Sequence, residues 1–418
     1  MVLFYILVLL AAMPNHPLFE EPFAGLTFVK WLGILCCGYA SFVLLNERRL
    51  PAFVKPWPVR LFAVLFGIAA VSFFTLSRTE GLTFNPMFTY ASYVMLFLTT
   101  ISLVNSYQRL HRTLLASIAG AAWASLYVIR EFQVSGGTNL RPGYVAGDSN
   151  YFAICAVLVI PAAVYFLKLR TTSLERWFCG ISLVLILVAF TLASSRGGLV
   201  GLGVATAYML VRSGQSRRAA VLTTLLLIPM LLLAPSSPLS RFLHPSYADQ
   251  VSEQIRRDFW SAGLDMIGRH PLTGVGLGNF TAQSISTIDG KQGMACNTFL
   301  EIAAELGVPG ALVYGGIVFA ALWSAGQLRR AGKDGKNTVL LYTGQAMQAG
   351  LLGFAAAAVF VSAEYQKPFW IMIALTSAIP LLLAQSSRRQ PAAEATFLWR
   401  EDDWVKDNPE LEAFIKSR

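Results

Sequence analysis

Residues 174–218 read LERWFCGISLVLILVAFTLASSRGGLVGLGVATAYMLVRSGQSRR. Two apolar runs, 177–193 and 197–211, lie on either side of a short turn that contains Arg196. Basic residues gather outside both runs, in KLRTTSLER before the first and RSGQSRR after the second. Because a membrane-spanning helix needs roughly 20 mostly apolar residues, this pattern predicts two transmembrane helices joined by a tight turn.

The composition extends this prediction to the whole chain. Of its 418 residues, 55% are hydrophobic and 13% are charged, whereas a soluble domain averages about 25% charged residues. The sequence therefore predicts an all-α polytopic membrane protein. Its candidate spans are residues 2–13, 25–45, 59–76, 86–105, 114–130, 150–167, 177–193, 197–211, 219–234, 306–325, 338–362 and 368–385.

Lys and Arg alternate between the loops that join these spans. Every second connection carries at least two basic residues, as in NERRLPAFVKPWPVR and QLRRAGKDGK, and each of the other connections carries one at most, apart from the long loop between the ninth and tenth spans. Since cytoplasmic loops are enriched in Lys and Arg, we expect both termini to be cytoplasmic. This topology also accounts for the net charge of +10 without nucleic acid as a partner.

The topology divides the chain into four parts. Residues 1–234 hold the first nine spans, and residues 235–296 form a large loop outside the cytoplasm, with an amphipathic helix in EQIRRDFWSAGLDMIG. Residues 297–386 hold a short helix and the last three spans, and residues 387–418 form a cytoplasmic tail. The first apolar segment lacks a signal peptide's basic start and cleavage site, so we expect it to remain as a helix.

Ionisable residues gather at those ends of the spans that are predicted to face outward, which indicates one polar cavity there. Arg196 is suited to bind phosphate through its planar guanidinium, or else it contacts lipid headgroups. Arg256 and Trp260 share one face of the amphipathic helix. Either Trp260 helps to orient Arg256 toward a bound phosphate, or the helix lies on the bilayer surface with Trp260 as its anchor. Arg141 and Asp148 belong to a loop on the same side.

A second polar stretch, GMACNTFLEIAAELGVPG at residues 293–310, precedes the tenth span. If this stretch is helical, Asn297, Glu301 and Glu305 lie on one face at positions i, i+4 and i+8. Such a face is suited to bind sugar hydroxyls or to accept a proton, although a solvated helix surface has the same pattern. Gly307 is expected to break this helix before the span begins.

The segment RHPLTGVGLGNF lies between the amphipathic helix and this stretch. Its glycines have GxGxG spacing without a strand–helix unit, so they predict a tight turn and not a nucleotide site. His270 is a candidate base, although a His before Pro is more typical of a helix cap or a core position. No metal-ligand spacing is present, and neither a metal nor a cofactor is expected.

Four motifs, taken in order, resemble the O-antigen ligase and polymerase family of bacterial envelope glycosyltransferases. They are SSRGG, the R-x-x-x-W of Arg256 and Trp260, HPLTGVGLGNF, and N-T-F-L-E-x-x-x-E-x-G-x-x-G from Asn297. RPGYVAGDSNYFA upstream is similar to a further segment of the family. The resemblance implies a C-type glycosyltransferase-like fold, with about twelve spans and one large periplasmic loop.

The resemblance also implies an activity. The family transfers a glycan from undecaprenyl pyrophosphate to an acceptor at the periplasmic face of the bacterial inner membrane, without a metal. The leading expectation is the ligase type, with lipid A-core as acceptor; the alternatives are an oligosaccharide or exopolysaccharide polymerase and a protein O-oligosaccharyltransferase. A transporter of lipid-linked substrates is the alternative from another class. The expected partners are the lipid-linked donor, the glycan acceptor and membrane lipids.

Motif by motif, Arg196 and Arg256 match the family's arginines that hold the pyrophosphate, and Arg257 lies beside them. Asn297 and Glu301 match the motif after the long loop. The candidate catalytic residues are therefore Arg196, Arg256, His270, Cys296, Asn297 and Glu301, and the candidate substrate-binding residues are Arg141, Asp148, Arg257, Trp260 and Glu305.

One position departs from the family pattern. The family usually has His immediately before this Asn, whereas this chain has Cys296. A thiol with a pKa of about 8.5 is a poor proton acceptor near neutrality. The departure leaves three readings open: a different acceptor, a different base (Glu301 or His270), or lost activity.

Overall fold

The computed structural model describes residues 1–13, 27–46, 54–77, 86–136, 148–169, 172–212, 243, 245–287 and 293–389. Within these ranges the regular secondary structure consists of thirteen helices and no strands. They are α1 (Val2–Leu10), α2 (Phe28–Asn46), α3 (Trp57–Thr75), α4 (Pro86–Leu103), α5 (Tyr107–Val134), α6 (Ser149–Phe166), α7 (Ser173–Ala193), α8 (Arg196–Arg212), α9 (Tyr247–Arg269), α10 (Phe280–Thr287), α11 (Thr298–Asp334), α12 (Thr338–Ala357) and α13 (Lys367–Arg389).

Eight of the helices in the described ranges are long and apolar enough to cross a membrane, namely α2 to α7, α11 and α13. The all-α polytopic membrane fold predicted from the sequence is confirmed. Eleven of the twelve predicted spans coincide with a helix, and α1 is the shortest of these with 9 residues. The ninth predicted span, 219–234, lies outside the described residues, as do Arg141 and most of the predicted tail.

Helix α12 lies at the centre of the bundle, where it packs against α6, α8 and α11. Glycines make these contacts close: a Cβ on Gly350 would overlap the carbonyl of Leu158 in α6, and a Cβ on Gly201 of α8 would overlap the backbone of Gly353. Because lipid offers little hydrophobic driving force between helices, membrane bundles gain stability from such close backbone packing.

Aromatic rings fill the space between α3, α4, α11 and α13. Trp370 is fully buried, stacks on Tyr93 with ring centroids 5.1 Å apart, and contacts Phe62 and Tyr314 at 5.1 and 6.1 Å. The indole N–H of Trp370 donates to the backbone carbonyl of Glu364, 2.7 Å away. This aromatic group therefore supports the loop that joins α12 to α13.

A small second core attaches α9 and α10 to the first part of α11. It is built from Phe259, Met266, Phe280 and Ala304, all of them buried. Phe259 and Met266 are seven residues apart in α9 and lie on its buried face, which is the arrangement expected of an amphipathic helix. The α9 helix also begins at a capping box, in which Ser246 and Asp249 exchange hydrogen bonds.

The predicted break in α11 is also present. Gly307 has φ 72° and ψ 176°, which interrupts the helix before Pro309. A Cβ at this glycine would lie 2.6 Å from the carbonyl carbon of Leu272, and the φ value favours glycine. Residues 298–306 therefore form a short helix of their own ahead of the long span.

Candidate functional site

Five segments meet at one end of the bundle: the start of α6, the turn between α7 and α8, helix α9, residues 293–297, and residues 358–366, which we call the 358–366 loop. The 358–366 loop is fixed to the start of α11 by Thr298. The Thr298 hydroxyl donates to the carbonyl of Val361 (2.7 Å) and accepts from the amide of Ala363 (2.8 Å). The backbone N–H of Thr298 donates to the carbonyl of Ala358 at 2.9 Å.

Arg196 is the first residue of α8 and is half-buried. The turn before it is tight, because Ser194 has a left-handed backbone with φ 52°. The Ser195 hydroxyl accepts from the amide of Gly198 (3.1 Å) and donates to Oδ1 of Asn150 (2.8 Å), so it joins the turn to α6. A Cβ on Gly197 would lie 2.9 Å from Cβ of Phe360, which places Arg196 beside the 358–366 loop.

Arg256 reaches the same loop from α9. Its Nη1 donates to the carbonyl of Phe360 at 3.4 Å, and its side chain is half-buried. Trp260, one turn later, donates its indole N–H to the carbonyl of Ala295 at 2.9 Å. This hydrogen bond directs Trp260 toward the polar stretch and favours the interpretation in which Trp260 helps to build the site over one in which it anchors α9 on the bilayer.

Arg196, Arg256 and Arg257 all act electrostatically on the same residue, Glu253. Arg257 is exposed and pairs with Glu253 at 2.6 Å, one helical turn away. The hydrogen bond and charge of Arg257 lower the pKa of Glu253, and the charges of Arg196 and Arg256 add to this effect. The structure thus brings together the three arginines that the sequence motifs single out.

The start of α6 forms another side of the site. Asp148 is the N-cap of α6, where its carboxylate accepts from the amide of Asn150 at 2.7 Å. The Tyr151 hydroxyl donates to the sulfur of Met294 at 3.3 Å, which ties α6 to the polar stretch. Asn150 and Tyr151 are further residues of this site that were not among the candidates, although both lie in the DSNY segment.

Cys296 and Asn297 stand at the turn into α11. Cys296 has a left-handed backbone with φ 51°, which is uncommon for any residue other than glycine, Asn or Asp. Asn297 is the N-cap: its Oδ1 accepts from the amides of Phe299 and Leu300 at 3.1 and 3.2 Å. The side-chain oxygen of Asn297 is therefore engaged in starting the helix.

Burial raises the pKa of the Cys296 thiol. The charge of Arg256 acts in the opposite direction, while the carboxylates of Glu301, Asp148 and Glu364 raise the pKa further. The sulfur is therefore a protonated thiol at neutral pH. A protonated thiol is neither a base nor a nucleophile.

Glu301 lies on the buried face of the short helix and is 3% exposed. Its Oε2 accepts from the amide of Ala295 at 3.1 Å and from the hydroxyl of Ser362. A solvated polar face, which the sequence left open for this helix, is therefore wrong. These two hydrogen bonds hold the carboxylate in place beside Cys296 and the 358–366 loop.

Glu305 is buried as well, but it faces the glycine turn. Its Oε1 accepts from the amide of Phe280 at 3.1 Å, and its backbone carbonyl accepts from Gly276 at 3.0 Å. Gly274, Gly276 and Gly278 of this turn have φ values of 67°, 105° and 78°, which confirms the predicted tight turn. In this structure Glu305 holds the turn against α11.

His270 follows the C-terminal end of α9, whereas Arg256 and Arg257 lie near the middle of that helix. It is the exposed C-cap of that helix, and its amide donates to the carbonyl of Met266 at 2.9 Å. The 14 residues from Arg256 to His270 span roughly 20 Å along a helix. The structure thus gives His270 the capping position that the sequence suggested and separates it from the arginines and Cys296.

Phe360 and Ser362 of the 358–366 loop were not among the candidates, although Glu364 of this loop is one of the ionisable residues that the sequence places at the outward-facing ends of the spans. Phe360 and Ser362 contact Arg256 and Glu301, respectively. The available signal was an acidic residue, Glu364, between two apolar runs. Across the described residues, no three His, Cys, Asp or Glu side chains are grouped to hold a metal ion.

The fold and this site define a polytopic membrane protein with a buried polar site at one end of its helices. Residues 181–315 match the family model described as O-antigen ligase (Wzy_C). The family resemblance inferred from the motifs is confirmed, and the match supports a glycosyltransferase function of the O-antigen ligase or polymerase type. No curated protein matches the chain.

Proposed function

We propose that this protein transfers a glycan from undecaprenyl pyrophosphate to an acceptor hydroxyl at the outer face of the bacterial inner membrane, with lipid A-core as the acceptor. The observation that carries this proposal is the position of two arginines at the 358–366 loop, near the buried carboxylate of Glu301: Arg256 donates to the carbonyl of Phe360, and Arg196 precedes Gly197, which packs closely against Phe360. The alternation of basic loops supports the proposed sidedness.

In the proposed reaction the arginines bind the pyrophosphate. The acceptor oxygen attacks the anomeric carbon, the bond from that carbon to the pyrophosphate oxygen breaks, and the configuration inverts. Pyrophosphate is a good leaving group, so the main requirement is to stabilise its negative charge as it develops. Arg196 and Arg256 are suited to this because guanidinium groups donate paired hydrogen bonds to phosphate oxygens, and no metal is required.

The acceptor hydroxyl loses its proton as the new bond forms, and we propose Glu301 as the proton acceptor. Cys296 is unsuited, because burial keeps its thiol protonated. His270 is less suited than Glu301, because it caps the far end of α9. The amide of Ala295 and the hydroxyl of Ser362 hold the Glu301 carboxylate in one orientation, which favours proton transfer in a defined geometry.

The remaining candidate residues have binding or structural roles in this proposal. Asp148, at the start of α6, and Trp260, on α9, border the space between the arginines and Cys296. We expect them to contact the glycan beyond its pyrophosphate. Asn297 and Glu305 shape the site by starting α11 and holding the glycine turn, and Arg257 adds positive charge at its edge.

The test is reconstitution of the purified protein in liposomes with an undecaprenyl-pyrophosphate-linked glycan and lipid A-core. We expect one glycosylated lipid A-core product and release of the pyrophosphate carrier. A ladder of chain lengths made without lipid A-core would identify a polymerase instead. Flipping of labelled carrier with no transfer to any acceptor would indicate a transporter and contradict the proposal.

Deletion of the gene in its host gives an independent test. We expect the lipid-linked glycan to accumulate and the lipopolysaccharide to lose its glycan. If the lipopolysaccharide stays intact while a glycoprotein or a capsule is lost, the acceptor in this proposal is wrong.

A further inference from the structure

Glu364, in the 358–366 loop, is a buried acid that the proposed reaction does not use. It is 2% exposed, and neither of its carboxyl oxygens has a hydrogen-bond partner among the described residues. Its backbone is held firmly, because the carbonyl of Glu364 accepts from Trp370 and the next carbonyl, that of Tyr365, accepts from the Tyr93 hydroxyl at 2.8 Å. The loop thus fixes the position of a carboxyl group that the protein itself leaves unbonded.

Acids and neutral hydroxyl or thiol groups lie close to Glu364. In the described part of the chain, the groups that interact electrostatically with it include Tyr90, Tyr93, Tyr151, Cys296, Glu301, Glu305, Tyr314 and Tyr365. Glu301 and Glu305 are each stabilised by N–H donors, whereas Glu364 has none from another residue. Burial and the carboxylates of Glu301 and Glu305 raise the pKa of Glu364 well above its usual range.

Charge on all three carboxylates at once is disfavoured, because like charges repel strongly in a buried medium of low dielectric constant. The carboxyl without donors is the one that keeps its proton. A neutral carboxylic acid has one O–H to donate, and a donor that is buried without an acceptor costs free energy until one arrives.

The charges of the site also indicate which part of a substrate lies near Glu364. Arg256 supplies positive charge at Phe360, and Arg196 acts on the same neighbouring residue, Glu253, so an anion is favoured on that side of the site. Around Glu364 the neighbouring carboxylates disfavour an anion and suit neutral groups with several hydroxyls. A lipid-linked glycan has this polarity, with a charged pyrophosphate at one end and neutral hydroxyls at the other.

We propose that Glu364 is a sugar-binding residue, whose carboxyl group keeps its proton in the resting protein and donates it in a hydrogen bond to a hydroxyl or ring oxygen of the glycan. This inference rests on the proposed function, since it assigns the glycan end of the same site. It distinguishes Glu364 from Glu301, which accepts hydrogen bonds and is the proposed proton acceptor.

Two substitutions test the role of the O–H group. Glu364→Gln keeps a neutral hydrogen-bond donor, and Glu364→Met removes it at similar volume. We expect kcat/KM for transfer to stay within roughly threefold of wild type in the Gln variant and to fall roughly 10- to 100-fold in the Met variant. Asp265→Asn, which neutralises an exposed acid on α9, is the matched control and should transfer like wild type.

Stability and infrared measurements separate this role from a structural one. Because the carboxyl has no partner, the unfolding temperature of Glu364→Met should equal or exceed that of wild type. At neutral pH, the C=O stretching absorption of protonated carboxylic acids should contain a Glu364 component in wild type, and this component should be lost in both variants. The infrared measurement needs no transfer activity, so it tests the inference even if the proposed function fails.

Each contrary result overturns the inference. Full transfer by Glu364→Met would show that the glycan does not use this group, and equal losses in the Met and Gln variants would show that a neutral donor is not what is needed. A lower unfolding temperature in Glu364→Met would assign Glu364 to holding the loop. An unchanged carboxylic-acid band would show that Glu364 is ionised. Absence of transfer by wild type would instead contradict the proposed function.

Discussion

Polar side chains at the two ends of the bundle differ in whether they have hydrogen-bond partners. Away from the site, Nε2 of His111 and Oε1 of Glu175 lie 2.7 Å apart, and the imidazole packs on Phe166 with ring centroids 4.3 Å apart. Phe166 is the last residue of α6, roughly 25 Å along the helix from its start at the site. At the site end, the Glu364 carboxyl has no hydrogen-bond partner among the described residues, and Cys296 has a left-handed backbone.

This difference distinguishes side chains that stabilise the fold from side chains that are available to bind a ligand. Removing one member of a hydrogen-bonded pair such as His111 and Glu175 costs stability, while an unpartnered acid or a strained residue costs free energy that the rest of the structure must offset. We therefore expect substitutions at the site end to change transfer more than stability, and substitutions in the His111–Glu175 pair to do the opposite.

The largest effect is expected at Arg256. Replacing Arg256 by Ala removes a guanidinium from the charge that develops on pyrophosphate, so transfer should fall roughly 10²- to 10³-fold. The measurement is the initial rate of transfer in proteoliposomes at matched amounts of folded protein. Arg257→Ala is the control on the same helix: its side chain is exposed and paired with Glu253, so the loss there should be much smaller. Equal losses would contradict the assignment of Arg256.

The glycine turn should be the site-end feature on which stability depends most. A Cβ on Gly274 would overlap the carbonyl of Glu305, and its φ of 67° is unfavourable for other residues. Gly274→Ala should therefore lower the free energy of unfolding by about 2–4 kcal/mol, as backbone strain and a steric clash do elsewhere. Thermal unfolding in detergent measures this loss.

Gly268→Ala is the matched control for the turn. Nothing lies within 4 Å of a Cβ built on Gly268, and this residue is inside α9. The substitution should raise stability by about 0.5–1 kcal/mol, because Ala favours helix over Gly. A Gly274→Ala variant as stable as Gly268→Ala would show that the turn adapts without cost.

A smaller loss is expected at the opposite end. Glu175→Ala leaves His111 without its carboxylate, so the free energy of unfolding should fall by about 1–3 kcal/mol. Glu175→Gln retains a hydrogen-bonding group and should lose less. Transfer per folded molecule should not change in either variant. A transfer defect without lower stability would contradict the separation between the two ends.

The smallest effect concerns the reactivity of Cys296. Because its pKa is raised, the thiolate fraction near neutral pH is lower than for an ordinary thiol, and alkylation should keep accelerating as the pH rises past the usual range. Arg256 lowers this pKa, so Arg256→Ala should slow alkylation at about pH 8 by roughly twofold to tenfold. Labelling of a Cys296→Ser variant gives the background.

Faster labelling in the Arg256→Ala variant would contradict the electrostatic contact between Arg256 and Cys296. Rapid labelling of wild type near neutral pH would show that Cys296 is a reactive thiolate and would reopen its role as a base.

Local patterns predicted much of the fold and part of the site. The spans follow from the length of apolar runs, and the buried face of α9 follows from the helical spacing of Phe259 and Met266. The glycine turn and the break at Gly307 follow from the ability of glycine to adopt positive φ. Such features are determined by residues that are close together in the sequence, so they can be predicted from the sequence alone.

Other features depend on contacts between distant segments and could not be predicted this way. Glu301 and Glu305 share a helix face, yet one is held by Ser362 and the other by the turn at Phe280. The capping role of Asn297 could have been predicted from the sequence, since Asn before a helical run is a common N-cap. The position of His270 required knowing that α9 runs beside the short helix in the same direction.

The sequence by itself determined that this is a polytopic membrane protein, which helix faces are apolar, and which motifs resemble the O-antigen ligase family. The physical reason is that the bilayer makes length, hydropathy and charge decisive within each segment. The tertiary structure decided which polar groups meet: it placed the 358–366 loop against Arg256 and Glu301 and left Glu364 unpartnered. Several helices together bury the Glu364 carboxyl, so its burial cannot be predicted from any single stretch of sequence.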